Sequence, residues 1–236
     1  MPQVEGKPSA DRRSLEEIVD TFVGSRKGIT ILEAGCGSMS RFNYRKDARM
    51  VGIDISKEQL DKNTLLQEKI LGDLESYPLP ESQYDIIVCW DVLEHLRHPK
   101  LALRNFSNAV NRGGVIVLAS PNVLTLRGLL TKLTPHIVHI LYYRYVVGLS
   151  DAGKPGNYPF MSYHRFAMSP PAIRKFARKH GLAVEVSRFN SWDHPEYRFR
   201  AFTVVWGIMN KLVNAVTFGM IGTDDDQGFQ IILRKK

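Results

Sequence analysis

Four carboxylates and two histidines stand where short apolar runs end: Glu33 in ILEAGCG, Asp54 in GIDIS, Asp73 in ILGDL, Asp91 and His95 in CWDVLEHL, and His164 in FMSYHRF. Gly35 and Gly37 flank Cys36 directly behind the first run, the pattern of a strand turning tightly into a helix where backbone N–H groups approach a nucleotide. An aspartate closing the next strand is placed to accept ribose hydroxyls, and a histidine near such a pocket is suited to take a proton at neutral pH.

The choice of nucleotide turns on Glu33. The G-x-G-x-x-G fingerprint is incomplete, because Ser40 follows where a third glycine would stand. A diphosphate at the helix start would lie near the Glu33 carboxylate and be repelled, whereas a cationic ligand would be attracted. S-adenosylmethionine is cationic at its sulfonium and its amino group and has no phosphate. Asp54 serves the ribose of either kind of cofactor and does not discriminate between them. Asp73 is placed to accept the adenine amino hydrogen with Leu74 packed on the ring, or else to cap a turn.

The elements that must position these residues alternate. Ser14 and Glu17 form an S-x-x-E capping pattern ahead of Leu15, Ile18, Val19, Phe22 and Val23 at helical spacing. Strand-like runs follow at ITILEAG, MVGIDIS, KILGD, YDIIVCWD and VIVLASP, with helix expected from Lys57 to about Lys69, helical residues over DVLEHLRHP that Pro99 stops or resets, and a helix resuming over LALRNFSNAV. This rhythm predicts an α/β fold of parallel βαβ units in a doubly wound sheet, with ligands at the carboxyl edge of the strands. The βα rhythm lapses from Asn122 to Met168, an irregular, aromatic-rich insertion expected to act as a lid or substrate-side segment. SPPAIRKFARKHG then reads as a helix with proline at its start and glycine at its end, and LAVEVSRF and GFQIILRKK as two last strands.

At 236 residues, 44% hydrophobic and 24% charged, the chain has the composition of one globular domain spanning 1–236, with 1–27 as an N-terminal helical segment, and not of a disordered or disulfide-stapled protein. Its two cysteines lie in apolar runs, and MPQVEGKPSADRRS has no apolar core, so a reduced, cytoplasmic setting without a signal peptide is expected. The net charge of +8 favours anionic partners without choosing among them. The densest basic cluster, Arg41, Arg45, Lys46 and Arg49, reads most simply as a solvated face.

Taken in order, ILEAGCG, GIDIS, GDLESYPLPESQYDIIVCWDVLEHL and NRGGVIVLASPN resemble the successive motifs of class I S-adenosylmethionine-dependent methyltransferases over about residues 28–122. The resemblance implies a seven-stranded Rossmann-like sheet of order 3-2-1-4-5-7-6 with an antiparallel seventh strand and an insertion after strand 5. It implies cofactor contacts at Glu33, Gly35, Cys36, Gly37, Asp54, Ile55, Asp73, Leu74 and Asp91. Met39 departs from it, standing where the family often has another glycine. The reaction implied is in-line methyl transfer to a small-molecule or lipid-like acceptor, most plausibly at oxygen and in biosynthesis, with S-adenosylhomocysteine as product. His95 and His164 are the candidate bases, each against the alternative of a structural histidine.

Other classes stay in view. A noncatalytic S-adenosylmethionine or S-adenosylhomocysteine binder is one alternative, and a nicotinamide-dependent oxidoreductase, disfavoured by Glu33 and the missing glycine, is another. The pairs His95/His98 and His136/His139 have i, i+3 spacing but no third ligand, so no metal is expected. Nucleic acid is disfavoured as a substrate because no N/D-P-P-Y/W segment follows the fourth strand. Two greasy stretches, 133–149 and 201–221, are interrupted by Arg144 and Lys211. In the second, Thr203, Gly207, Asn210, Lys211, Asn214 and Thr217 share a helical face, and the broad apolar remainder is expected to be buried in the core or a homodimer, or else laid shallowly on a membrane.

Overall fold

The computed structural model describes residues 14–24, 26–40, 47–154, 159–190, 200–223 and 226–236, with side chains at 200–203 excepted. Of the expected basic cluster, Arg41, Arg45 and Lys46 lie outside the described residues; Arg49 is exposed and pairs with Glu68 at 2.5 Å.

Helix α1 (Leu15–Val23) starts at the expected capping box: Ser14 N–H donates to Glu17 Oε2 at 2.6 Å and Glu17 N–H to Ser14 Oγ at 3.1 Å. Strand β1 (Thr30–Ala34) leads to β2 (Arg49–Asp54), α2 (Lys57–Lys62), β3 (Glu68–Leu71), β4 (Tyr84–Trp90), α3 (Pro99–Ala109) and β5 (Val110–Pro121). The insertion carries α4 (Leu126–Leu133) and α5 (His136–Leu141), and the chain closes with α6 (Pro170–Lys179), β6 (Leu182–Asn190), α7 (Arg200–Val216) and β7 (Gly228–Lys235). The sheet order is β3-β2-β1-β4-β5-β7-β6, with β7 antiparallel to both its neighbours and the inner pairs parallel, as the motif order implied.

Both faces of the sheet are covered, so most residues of its central strands are apolar and buried. Alternate residues of β1 divide between the two cores: Leu32 packs with Phe106 of α3 and Ile173 of α6, while Ile31 packs with Ile18 and Val19 of α1. This fixes the register, since a shift of one residue would exchange the two faces.

Three expectations need correction. The helix from Lys57 ends at Lys62 and not near Lys69, because the Asn63 side chain turns the chain by accepting the Leu65 N–H at 3.2 Å, and β3 already begins at Glu68. The insertion is not irregular throughout. Thr125 caps α4 through its Oγ1, Thr134 and Pro135 separate that helix from α5, and a π-helical turn follows at Tyr142–Val147.

The third correction concerns α7, whose apolar remainder is not buried in the core of the chain, while Lys211 of the expected polar face is exposed. Asn210 and Trp206 are buried and Gly207, Asn214 and Thr217 half-buried, while Val204, Val205, Ile208, Leu212 and Val216 are each more than 60% exposed. On that side Arg127 of α4 lies over the Trp206 ring at 5.7 Å, Asn214 Nδ2 donates to the Ile221 carbonyl of the following chain at 2.7 Å, and Asn210 Nδ2 donates within the helix to the Trp206 carbonyl at 3.1 Å.

Candidate functional site

Because β1 to β4 are parallel, the residues following their carboxyl ends gather along one edge. At the end of β1 the Gly35 and Cys36 N–H groups both donate to the Ile53 carbonyl, at 2.8 and 3.3 Å, folding the turn onto β2. Gly35 has φ +74, and a Cβ there would meet Val92 Cγ2 at 2.4 Å, so nothing larger than glycine fits. Gly37, at φ +55, is the opposite case. A Cβ there would meet nothing within 4 Å, which leaves an open cradle beside bare backbone.

Asp54 ties the cradle together, with Oδ2 accepting the Gly37 N–H at 2.9 Å and Oδ1 the Ser56 N–H at 2.8 Å. Both carboxylate oxygens keep a lone pair for further donors. Asn63, which sequence reasoning missed, is buried and reaches the Gly37 carbonyl through Nδ2 at 3.4 Å. Glu33 is 3% exposed beneath the turn, and Ile55 is 75% exposed beyond Asp54. Cys36 is buried, and burial first, then the charges of Asp54 and Glu33, push its thiol up to about 12, so it is no nucleophile.

The third carboxylate behaves differently. Asp73 accepts the Glu75 N–H at 2.9 Å, and its carbonyl accepts from Ser76 and Tyr77, so it caps a turn and presents one oxygen outward. Leu74 is buried in the core beneath. A cradle of open glycine backbone with carboxylates at Glu33 and Asp54 fits S-adenosylmethionine, a cation with a ribose, better than a dinucleotide carrying two negative phosphates.

Beyond β4, Asp91 adopts the left-handed region at φ +54, a conformation that costs a non-glycine residue about 1–3 kcal/mol and that clusters at functional sites. It turns the chain into a 3-10 turn, Leu93–His95. His95 Nδ1 lies 2.6 Å from the Met161 carbonyl. A carbonyl only accepts, so Nδ1 carries the proton and Nε2 of the neutral ring keeps its lone pair. Nε2 sits 3.9 Å from Glu94 Oε1.

Glu94 is the functional group that sequence reasoning passed over. It is buried, accepts the Ser120 hydroxyl proton at 2.8 Å, and is raised to about 8 by burial and by the nearby charge of Asp91. Its signal was an acidic residue set between Leu93 and Leu96 in an apolar motif. The Glu94 carbonyl accepts the N–H groups of Tyr163 and His164, at 2.7 and 3.2 Å, and so draws the end of the insertion over the site.

His164 is thereby brought beside His95. It is buried, at φ +42, with no hydrogen-bond partner for Nδ1, and burial together with the charges of His95, His139 and Lys132 lowers its pKa to about 4. Burial likewise lowers the pKa of His95 against the opposing hydrogen bond to Met161, so both rings are neutral at physiological pH. His136 and His139 sit edge to face with ring centres 6.0 Å apart, His139 Nε2 lying 2.7 Å from Thr134 Oγ1, and no three His, Cys, Asp or Glu side chains cluster as metal ligands among the described residues.

Residues 9–186 match the protein family described as a methyltransferase domain. A 125-residue segment is 28% identical to the mitochondrial ubiquinone biosynthesis O-methyltransferase of Saccharomyces cerevisiae and covers 47% of this chain and 39% of that one. The chain spans about half the length of the curated relatives it matches. Among solved structures, a S-adenosylmethionine-dependent methyltransferase from Methanosarcina mazei superimposes with a TM-score of 0.56 at 15% identity, over 92% of this chain and 96% of that one. The [4+2]-cyclase SpnF superimposes with a TM-score of 0.52 at 15% identity, over 94% and 80%. At such identities the structural likeness concerns the fold alone.

Proposed function

Since this chain belongs to the methyltransferase-domain family and has the class I S-adenosylmethionine-dependent methyltransferase fold, we propose that it transfers a methyl group to an oxygen of a small-molecule or lipid-like acceptor. The observation that carries the reading is the adjacency of two features on one sheet edge: the acidic, glycine-lined cradle and a neutral histidine whose Nε2 is unprotonated.

Bound in the cradle, S-adenosylmethionine supplies a methyl carbon already activated by its sulfonium. Glu33 favours that cation and Asp54 accepts ribose hydroxyls. His95 Nε2 would take the proton of the acceptor hydroxyl, and the Met161 carbonyl fixes the tautomer that allows it. Glu94 and Ser120 hold the 3-10 turn that aims the ring. His164, held neutral beside it, closes the acceptor side of the pocket and is the second candidate base. Alignment of the reacting atoms accounts for up to about 7–11 kcal/mol of barrier lowering in such reactions.

The relatives named as ubiquinone biosynthesis O-methyltransferases support oxygen as the accepting atom and a hydrophobic acceptor. The outward apolar rows of α7 and of the insertion support contact with an anionic membrane surface from a reducing cytoplasmic compartment, in which Cys36 and Cys89 stay free thiols. No helix among the described residues is long and apolar enough to cross a membrane.

Thermal unfolding with S-adenosylhomocysteine and, separately, with NADH tests the cofactor. A ligand at about 100 times its Kd should stabilise the fold by roughly 2.7 kcal/mol. A shift with S-adenosylhomocysteine alone is expected, and a shift with NADH alone would overturn the reading. Because the fold is also that of a cyclase, transfer of labelled methyl groups to a panel of phenolic and prenylated acceptors must accompany binding; affinity without turnover would favour a noncatalytic binder.

A further inference from the structure

A second concavity, of about 610 Å³, opens where the start of α3 faces the chain returning from the insertion, and Arg97, Lys100, Lys132 and Arg165 line it with His98 and Phe166. The four cations come from three stretches of chain far apart in sequence, and none pairs with a carboxylate among the described residues. Aromatic rings hold three of them instead. Arg97 Nε donates to the Tyr163 hydroxyl at 2.9 Å, and the guanidinium groups of Arg97 and Arg165 lie 5.6 and 5.5 Å from the centre of that one ring. Arg165 Nε donates to the Arg97 carbonyl at 3.2 Å, and Lys132 Nζ lies 4.7 Å from the centre of the Phe166 ring.

Cation–π contacts fix position without neutralising charge, so the cleft assembles like charges and leaves them unsatisfied. The carboxylate facing this wall, Glu75, bears on Arg97 only at long range and accepts the His98 N–H at 2.9 Å. Two guanidinium forks and two ammonium groups meet the oxygens of a phosphate far better than any neutral ligand.

We propose that this cleft binds a phosphate or diphosphate group carried by the methyl acceptor, an inference that rests on the methyltransferase reading. The placement follows the chain: Arg97 is two residues past His95, Arg165 follows His164, and Tyr163 and His164 both donate to the Glu94 carbonyl. The anion anchors one end of the acceptor, and its hydroxyl lies toward His95. A soluble phosphorylated metabolite and a phospholipid headgroup present the same chemistry.

Calorimetric titration of the whole chain, with and without S-adenosylhomocysteine, using inorganic pyrophosphate tests it. Saturable binding is expected, weakened at least tenfold in Arg97→Gln/Arg165→Gln and in Lys100→Gln/Lys132→Gln, with S-adenosylhomocysteine affinity unchanged. The second pair leaves both guanidinium contacts to Tyr163 in place, so it reads charge independently of that ring. Flotation with phosphatidylcholine vesicles, with and without phosphatidic acid, separates the sources: vesicle binding competed by pyrophosphate assigns a lipid headgroup, and pyrophosphate binding without flotation assigns a soluble acceptor. No pyrophosphate binding, or wild-type affinity in both double variants, overturns the proposal. Failure of S-adenosylhomocysteine to bind would instead remove the methyltransferase reading and leave the pyrophosphate result standing by itself.

Discussion

Enclosed by the insertion and by β5, the Glu94 carboxyl is protonated in the folded chain up to about pH 8, whereas in the unfolded chain it ionises near 4.5. Between these values the folded state binds the extra proton, so stability falls as pH rises through that window. At about 1.4 kcal/mol per pKa unit the penalty reaches a few kcal/mol near pH 8. Glu94→Gln, which still accepts from Ser120, should therefore gain melting temperature relative to the wild type as pH is raised from 5 to 8, and parallel curves would refute the buried acid. His164 works in the opposite direction. Its folded pKa of about 4 lies below the unfolded value of 6.5, so it destabilises as pH falls through 6.5 toward 4, and His164→Gln should lose that acid-side slope. For catalysis, His95→Ala should slow turnover by about 10²–10⁴ with little change in S-adenosylhomocysteine affinity. Asp54→Ala should do the reverse, weakening cofactor binding by about 1–3 kcal/mol on calorimetry. The glycine turn and the places of Asp54 at the end of β2 and His95 beyond β4 were legible in the sequence, because position beside a strand end is a local signal. Glu94 was not, since its burial and its Ser120 partner come from residues 26 or more positions away.

At the scale of elements, strand order and both end helices were readable, because hydrophobic period and caps are local signals and the motif order supplied the topology. The orientation of α7 was not readable. Periodicity separates two faces of a helix without saying which one meets the protein, and here the side with Trp206, Asn210 and Asn214 faces inward, with Trp206 under Arg127 of α4 and Asn214 bonded to the Ile221 carbonyl. This orientation predicts an unusual tolerance. Ile208→Ser and Leu212→Ser should leave unfolding free energy within about 0.5 kcal/mol of wild type, as for surface sites. Phe106→Ala, in the core between α3 and the sheet, should cost about 3–5 kcal/mol on the same denaturant titration. A comparable cost at Leu212 would mean that α7 is buried in the molecule as studied, and the exposed face would have to be abandoned.

The whole molecule puts that face in an electrostatic setting. No Asp or Glu occurs from Asn122 to Ser150 or from Arg200 to Thr223, while Arg127, Lys132, Arg144 and Lys211 do occur there, in a chain of net charge +8. In the insertion, Leu133, Ile137, Leu141 and Tyr145 are exposed as well, and the start of α4 is tied to the chain after α7 by the Gly222 N–H to Leu124 carbonyl bond at 2.8 Å. Apolar rows on segments that themselves carry only basic charges suit an anionic bilayer surface, since burial of the side chains and attraction to the headgroups act together. The charge contribution should vanish near 1 M salt, where screening acts over about 3 Å, while the apolar contribution persists. The protein should therefore float with phosphatidylglycerol vesicles at low salt, float less at high salt, and fail to float as Val205→Glu/Leu212→Glu with its unfolding curve unchanged. A second copy of the chain covering the same rows would give another pattern: doubled mass in light scattering for the wild type, monomer for the double variant, and protein left at the bottom of the gradient in both. Only the first pattern would bring the pocket's acceptor side to a lipid surface.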